Sequence, residues 1–220
     1  MEIKPVAHIH TDYNEKFGIP RQSGLTSARG VIVFEEKYKD PNYLRGIEEF
    51  SHLWIIWGFS ENIREEHSPT VRPPKLGGEE RRGVFSTRSP FRPNNLGLSS
   101  VKLVEVIYKD GPLLVVEGVD MLDGTPVYDI KPYIPYSDIH KDAAEGFTGE
   151  TRKRRLEVFI PSEIEKKVDP EKLPAIKETL ALDPRPAFME KMDREYGLSF
   201  GEYNILFTVN ENKIVVTDIN

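Results

Sequence analysis

Five short segments rich in β-branched and aromatic residues follow one another: 31–34, 52–59, 83–87, 101–108 and 113–119. Runs of this size bounded by turn residues read as strands. Parallel pairing would need a helix-length crossover between successive strands, and no helical pattern separates these. The expected fold is therefore mainly β, with an antiparallel barrel at its core. Lys109-Asp110-Gly111-Pro112 supplies a hairpin turn, because Asp-Gly tolerates the positive φ that tight turns require. No Gly-x-Gly-x-x-Gly follows a strand, so the entry signal of a nucleotide-binding Rossmann domain is missing.

From Ser137 to about Arg155 the chain turns polar, with Asp138, His140, Lys141, Asp142, Gly146, Gly149 and the run Arg152-Lys153-Arg154-Arg155. This stretch reads as a linker or mobile loop. Beyond it, Ser162-Glu163-Ile164-Glu165 after Pro161 has a capping-box pattern that starts a helix. A second amphipathic helix is expected over 173–182, stopped by Asp183-Pro184. Tyr203, Ile205, Phe207 and Val209 alternate on one face of a strand, and Asn210-Glu211-Asn212 turns it into a closing hairpin. The chain thus divides at 1–148, a β-barrel domain, and 149–220, a small α+β C-terminal domain.

Composition excludes several chemistries. There is no cysteine in the 220 residues, which removes disulfides, thiolate metal sites and cysteine nucleophiles. No apolar run approaches the 18 residues of a membrane span; the longest, around Leu53-Trp54-Ile55-Ile56-Trp57, is strand-sized. Met1-Glu2-Ile3-Lys4-Pro5 lacks a charged-then-apolar signal pattern, so a cytoplasmic location is expected. The net charge of −6 argues weakly against non-specific nucleic-acid binding and leaves room for a local basic face. Ser86, Ser89, Ser99 and Ser100 lie in no Gly-x-Ser-x-Gly elbow. His8 and His10 share a strand face without a carboxylate-rich loop to complete a metal shell, and read as polar residues facing solvent. His52, beside the Trp54/Trp57 strand, reads as a hydrogen-bonded core histidine.

Three segments carry functional chemistry. Phe17-Gly18-Ile19-Pro20-Arg21-Gln22-Ser23-Gly24-Leu25 is a punctuated loop. Its Arg21 suits a carboxylate fork and its Gln22 an amide or base edge, although a solvated surface turn is equally compatible. The second runs from Arg81 through Arg88, Arg92 and Asn94-Asn95-Leu96-Gly97. Between 64 and 92 there are seven Lys/Arg against four Glu, with Phe85 and Phe91 interleaved, a pattern suited to phosphates and stacked bases. Proline and glycine there suggest a rigid binding loop. In the third, after the Asp123-Gly124 turn, Val127, Asp129, Lys131 and Tyr133 alternate onto one face. That face is either an acid/base or anion-orienting site or an edge strand with a surface ion pair.

Taken in order, FGIPRQSGL (17–25), FSHLWIIWGFS (50–60), RPPKLGG (72–78), GVFSTRSPFRPNNLG (83–97) and DGTPVYDIKPYIPYSD (123–138) resemble the TsaA/TrmO family of tRNA methyltransferases. Asp183-Pro184-Arg185-Pro186-Ala187-Phe188 and the terminal hairpin continue the likeness. The resemblance implies a β-barrel site for S-adenosyl-L-methionine in a homodimer. It also implies methylation of N6 of threonylcarbamoyladenosine next to the anticodon of threonine tRNA. By motif, the cofactor-binding residues would be Pro20, Arg21, Gln22, Ser60, Glu61, Arg88, Gly97, Leu122, Asp123, Gly124 and Thr125. Asn94-Asn95-Leu96-Gly97 stands where the family typically has Asn-Pro-Ile-Gly. Methyl transfer needs neither a metal nor a covalent enzyme intermediate, so no metal ligand is expected. Asp129 is the expected base, Lys131 and Tyr133 would orient the substrate, and Lys131, Arg92 or Arg185 would meet the threonyl carboxylate. The tail, with Arg152-Lys153-Arg154-Arg155, would touch tRNA. Two alternatives remain: a module that binds cofactor and RNA without turnover, and a methyltransferase with another acceptor.

Overall fold

The computed structural model describes residues 2–62, 66–73, 76, 80–150, 155–185 and 194–220. Six strands close a barrel: β1 (Ala7–Thr11), β2 (Arg29–Phe34), β3 (His52–Gly58), β6 (Leu96–Tyr108), β7 (Pro112–Glu117) and β8 (Thr125–Pro132). Two short strands, β4 (Thr70–Val71) and β5 (Arg82–Gly83), pair apart from it. The barrel order is β1-β2-β7-β6-β3-β8, every pairing antiparallel. Alternation builds its interior, since Ala7, Ile9, Ile32, Leu53, Ile55, Trp57, Val101, Leu114, Val116 and Val127 are all buried. The β6–β7 hairpin turns at Asp110 and Gly111 with φ of 55° and 107°, as the Asp-Gly pair predicts.

Several expectations change. The segment Gly83–Thr87 is not a strand: after β5, Val84–Ser86 forms a 3-10 turn with Thr87 N–H bonded to Val84 O. β8 is not an edge, because it pairs with β1 on one side and β3 on the other. Its predicted single face also splits. A register shift between Ile56 and Trp57 of β3 leaves Tyr128 as an extra residue, with Val127 opposite Trp57 and Asp129 opposite Ile56. Val127 therefore points into the core while Asp129 and Lys131 lie on the outer wall, since a bulge reverses parity along a strand. His52 is exposed rather than in the core, with Nδ1 at 2.9 Å from Ser51 Oγ. Among the described residues, single-turn helix α1 (Pro135–Asp138) runs into the predicted 137–155 linker and a second, α2 (Phe147–Glu150), lies within it.

The C-terminal sheet has order β10-β11-β12-β9, from β9 (Glu157–Phe159), β10 (Tyr196–Phe200), β11 (Tyr203–Asn210) and β12 (Lys213–Ile219). The closing hairpin is β11–β12, and β9 joins it in parallel with β12. Helix α4 (Leu173–Ala181) buries Ala175, Ile176, Thr179 and Leu180. Helix α3 (Ser162–Glu165) forms without the predicted capping box: its N-cap is Pro161, whose carbonyl accepts from Ile164 and Glu165 N–H.

The two halves share one hydrophobic core. Tyr13, fully buried just after β1, sets its ring edge-on to Phe200 at 5.4 Å. Its hydroxyl lies 3.1 Å from Thr26 Oγ1 and 3.2 Å from Thr179 Oγ1. Burial pushes the Tyr13 phenol up to about 12, so it stays a neutral hydrogen-bonding group. Glu178 accepts from Ser27 N–H at 2.5 Å, Gly201 N–H donates to Asp12 O at 2.7 Å, and Lys172 Nζ reaches Asp12 at 3.1 Å. The C-terminal half thus braces residues 12–28, the stretch that carries Pro20, Arg21 and Gln22.

Candidate functional site

Antiparallel closure sends the 12–28, 59–95 and 118–124 connections to the same end of the barrel, where β1, β3 and β7 finish and β2, β6 and β8 begin. Main-chain hydrogen bonds stitch them together. Gly24 N–H donates to Gly118 O at 2.9 Å, and Asp123 and Gly124 N–H donate to Tyr13 O and Ile9 O, both at 2.9 Å. Lys16 Nζ bonds Glu61 O at 2.8 Å, and Asn95 Nδ2 bonds Pro90 O at 2.7 Å and Asn62 O at 3.3 Å. The Arg88 guanidinium donates to Gln22 Oε1. Gly118 has φ +87°, and a Cβ there would sit 3.1 Å from Gly24, so the glycine admits the loop above it.

The residues singled out by motif fall around this end in different environments. Pro20 is buried, Gln22 half-buried, and Arg21, Ser60, Glu61 and Arg88 exposed. Leu122 is half-buried, while Asp123 and Gly124 reach the surface. Asp123 is engaged by His10 Nδ1 at 3.1 Å and Thr11 N–H at 3.0 Å, and buried Thr125 returns its hydroxyl to Leu122 O at 2.7 Å. Gly97 is a packing residue of the barrel wall. It pairs with Trp57, and a Cβ would lie 2.2 Å from the indole. Gly97→Ala is expected to cost about 1–3 kcal/mol through overpacking against that ring, measured by denaturant unfolding. An unchanged midpoint would show that the indole yields.

Beneath the loops, Trp57 Nε1–H donates to Ser99 Oγ at 2.9 Å, and Ser99 Oγ–H donates to Asp120 Oδ1 at 2.6 Å. Burial pushes the Asp120 carboxyl up to about 6, although the Ser99 hydroxyl, the Arg88 charge and the Ser23 N–H all pull it down. A raised carboxyl contributes stability that is complete below its unfolded pKa near 4 and disappears as pH climbs through about 6. At neutral pH the chain therefore carries an ionised Asp120 at a cost of ~2–3 kcal/mol. Sequence reading passed over Asp120. Its one signal was a carboxylate directly after the apolar run 113–119.

Asp129 and Lys131 form an ion pair at 2.9 Å on the outer wall of β8, beside Ile56 and Trp54 of β3. Tyr133 lies farther down, its ring 5.4 Å from Trp54 and 6.2 Å from His52, at the opposite end of β3 from Phe59. Asp129 is thus the member of the predicted trio nearest the loop end. Arg92 spends its Nη1 on Thr87 O at 3.1 Å, shaping its own loop. The Arg185 side chain, only 5% exposed, grips Asp183 through Nε at 2.8 Å and Nη2 at 3.1 Å, so it builds the tail. Arg155 donates to Leu25 O at 2.6 Å; Arg152, Lys153, Arg154 and 186–188 lie outside the described residues. His8 and His10 each meet a carboxylate, Glu35 at 2.8 Å and Asp123 at 3.1 Å.

S-Adenosylmethionine presents a sulfonium, an amino-acid zwitterion and an adenosine. A guanidinium set on an amide, an exposed Arg21, a partly buried carboxylate and the half-buried Phe59 ring meet at one barrel end, a donor set that fits such a ligand.

Residues 8–139 match the family model described as the tRNA-methyltransferase O N-terminal domain, and 153–220 match the TrmO C-terminal domain. The chain is 39% identical to the tRNA (adenine(37)-N6)-methyltransferase of Escherichia coli K12, covering 96% of this chain and 94% of that one. A protein of Pseudomonas aeruginosa called a putative S-adenosylmethionine-dependent methyltransferase, RcsF, is 34% identical over 92% of this chain and 90% of its own. A crystal structure of TrmO superposes with a TM-score of 0.81 at 29% identity, covering all of this chain and 98% of the other.

Proposed function

Since the chain belongs to the tRNA-methyltransferase O family, we propose that it is an S-adenosylmethionine-dependent tRNA methyltransferase. Its acceptor is N6 of threonylcarbamoyladenosine next to the anticodon of threonine tRNA, and it works as a cytoplasmic homodimer. The observation that carries this reading is the convergence of Gln22, Arg88 and the 118–124 turn at one end of the barrel. When bound, the cofactor supplies a methyl group on a sulfonium, already activated for transfer. The residues of this chain hold and orient: Pro20–Gln22, Ser60–Glu61, Arg88 and Leu122–Thr125 would hold the cofactor. Placement of the acceptor in line with the methyl carbon supplies much of the rate.

Asp129 takes the N6 proton, and Lys131, 2.9 Å away, holds that carboxylate in place. Arg92, whose Nη1 is set on Thr87 O, would meet the threonyl carboxylate with its remaining guanidinium donors. Homodimer formation is supported by the outer wall of β3 and β6, where half-buried Trp54 and Ile56 run beside Leu98, 55% exposed. The barrel domain, 1–148, carries the cofactor, and the C-terminal domain, 149–220, meets the tRNA.

The deciding experiment is methyl transfer from labelled S-adenosylmethionine to threonine tRNA with and without the threonylcarbamoyl group. Label on the modified tRNA alone is the expected result. Label on both changes the acceptor, and cofactor binding without label on either makes the protein a binding module.

A further inference from the structure

The Trp57–Ser99–Asp120 chain has no part in the reaction as set out above, and it ends directly under the cofactor loop. Asp120 follows β7, where Gly118 lets the 20–24 loop settle onto the strand end. One of its carboxylate oxygens is held by Ser99 Oγ at 2.6 Å, and Ser99 is itself held by Trp57 Nε1 at 2.9 Å. Trp57 is 5% exposed and wedged against Gly97, so this support is rigid. The Ser23 N–H and, at longer range than an ion pair, the Arg88 charge also stabilise the ionised carboxylate. Arg88 in turn holds Gln22. The backbone beside Gln22 and the cation that Gln22 accepts from thus both feel one carboxylate.

We propose that Asp120 is a positioning residue for methyl transfer: it fixes the 20–24 loop through Ser23 and aims Arg88, and hence Gln22, at the cofactor. The inference rests on the cofactor site proposed above. A carboxylate anchored to the barrel wall by Ser99 and set beside the Gly118–Gly24 contact is placed to steady the 20–24 loop. Among the described residues, the ionisable groups acting on it are Arg88 and the neutral Tyr13 phenol. Protonating Asp120 removes the charge that Arg88 and Ser23 N–H answer to. Cofactor affinity therefore falls as pH drops through about 6.

The test compares the full-length chain with its Asp120→Asn variant in three measurements. By calorimetric titration, S-adenosylmethionine is expected to bind the wild type about tenfold more weakly at pH 5 than at pH 7.5, the worth of one charge-assisted bond. The variant should bind about tenfold more weakly at pH 7.5 and lose the pH dependence. Its melting temperature at pH 7.5 should match or exceed that of the wild type, because a buried charge has gone. Without cofactor, trypsin should cut after the exposed Arg21 several-fold faster in the variant, because the loop opens more often. Wild-type affinity and pH dependence in the variant would overturn the proposal. So would weaker binding accompanied by a lower melting temperature and an intact pH profile, which describes a merely structural residue. If the wild type binds no S-adenosylmethionine, the cofactor site is wrong, and the Arg21 cleavage rate alone then decides whether Asp120 holds the loop.

Discussion

Asp129→Asn is expected to lower single-turnover methyl transfer by about 10²-fold or more while S-adenosylmethionine affinity stays within twofold. The acceptor nitrogen is a poor nucleophile, its lone pair shared between the purine ring and the ureido carbonyl, so the proton must leave as the new bond forms. The bulge at Tyr128 turns Asp129 outward beside Ile56, three residues before Phe59 and the loop end of β3. Asparagine keeps the shape and a hydrogen bond to Lys131 but accepts no proton. Rapid-quench measurements on threonylcarbamoylated tRNA, paired with cofactor titration, separate chemistry from binding. Turnover within threefold of wild type, with binding intact, would remove Asp129 from the mechanism.

Removing 149–220 is expected to lower the melting temperature of the barrel by roughly 10 °C or more, or to leave it insoluble. The cut strips Phe200 and Leu198 from the shared core and leaves the buried Tyr13 ring against water. It also deletes Thr179 from the Tyr13 hydroxyl, Glu178 from Ser27 N–H, Gly201 from Asp12 and Arg155 from Leu25. Losing one large buried aromatic contact alone costs about 3–5 kcal/mol. Because the same contacts brace the Pro20–Gln22 loop, cofactor binding should fall with stability. Loss of tRNA binding after such a cut is therefore no measure of the tail's own affinity for RNA. A 1–148 fragment that melts within 2 °C of the whole chain and binds cofactor equally well would show that the halves are independent.

Much of the frame was legible from local pattern. Asp110-Gly111 announces the β6–β7 hairpin, and the alternation over 203–209 announces β11 and its turn into β12. The run of strands without crossover helices points to an antiparallel barrel, which the structure closes from six strands. Helix α4 stops one residue short of its expected end at Leu182. Each of these signals lies within a few residues of the feature it specifies, because periodicity and turn chemistry are local properties.

What local pattern could not supply depends on partners distant in sequence. The pairing of Ala7 with Val127 makes β8 an inner member of a closed barrel, and the alternating pattern over 127–133 contains no trace of it. One extra residue at Tyr128, imposed by register with β3, moved Asp129 and Lys131 off the face of Val127 and onto the outer wall. The motif at 183–188 names Arg185 as a cation, and only the folded tail sets it on Asp183 at 2.8 Å. Asp120 drew no reading from local pattern, and its bond to Ser99 of β6 exists only in the folded barrel. The amino-acid sequence by itself determined most of the barrel strands, their hairpin turns and the motifs of the family. Tertiary structure alone decided which of those polar groups are desolvated, paired or free to act, because burial and charge pairing are set by neighbours that only folding brings together.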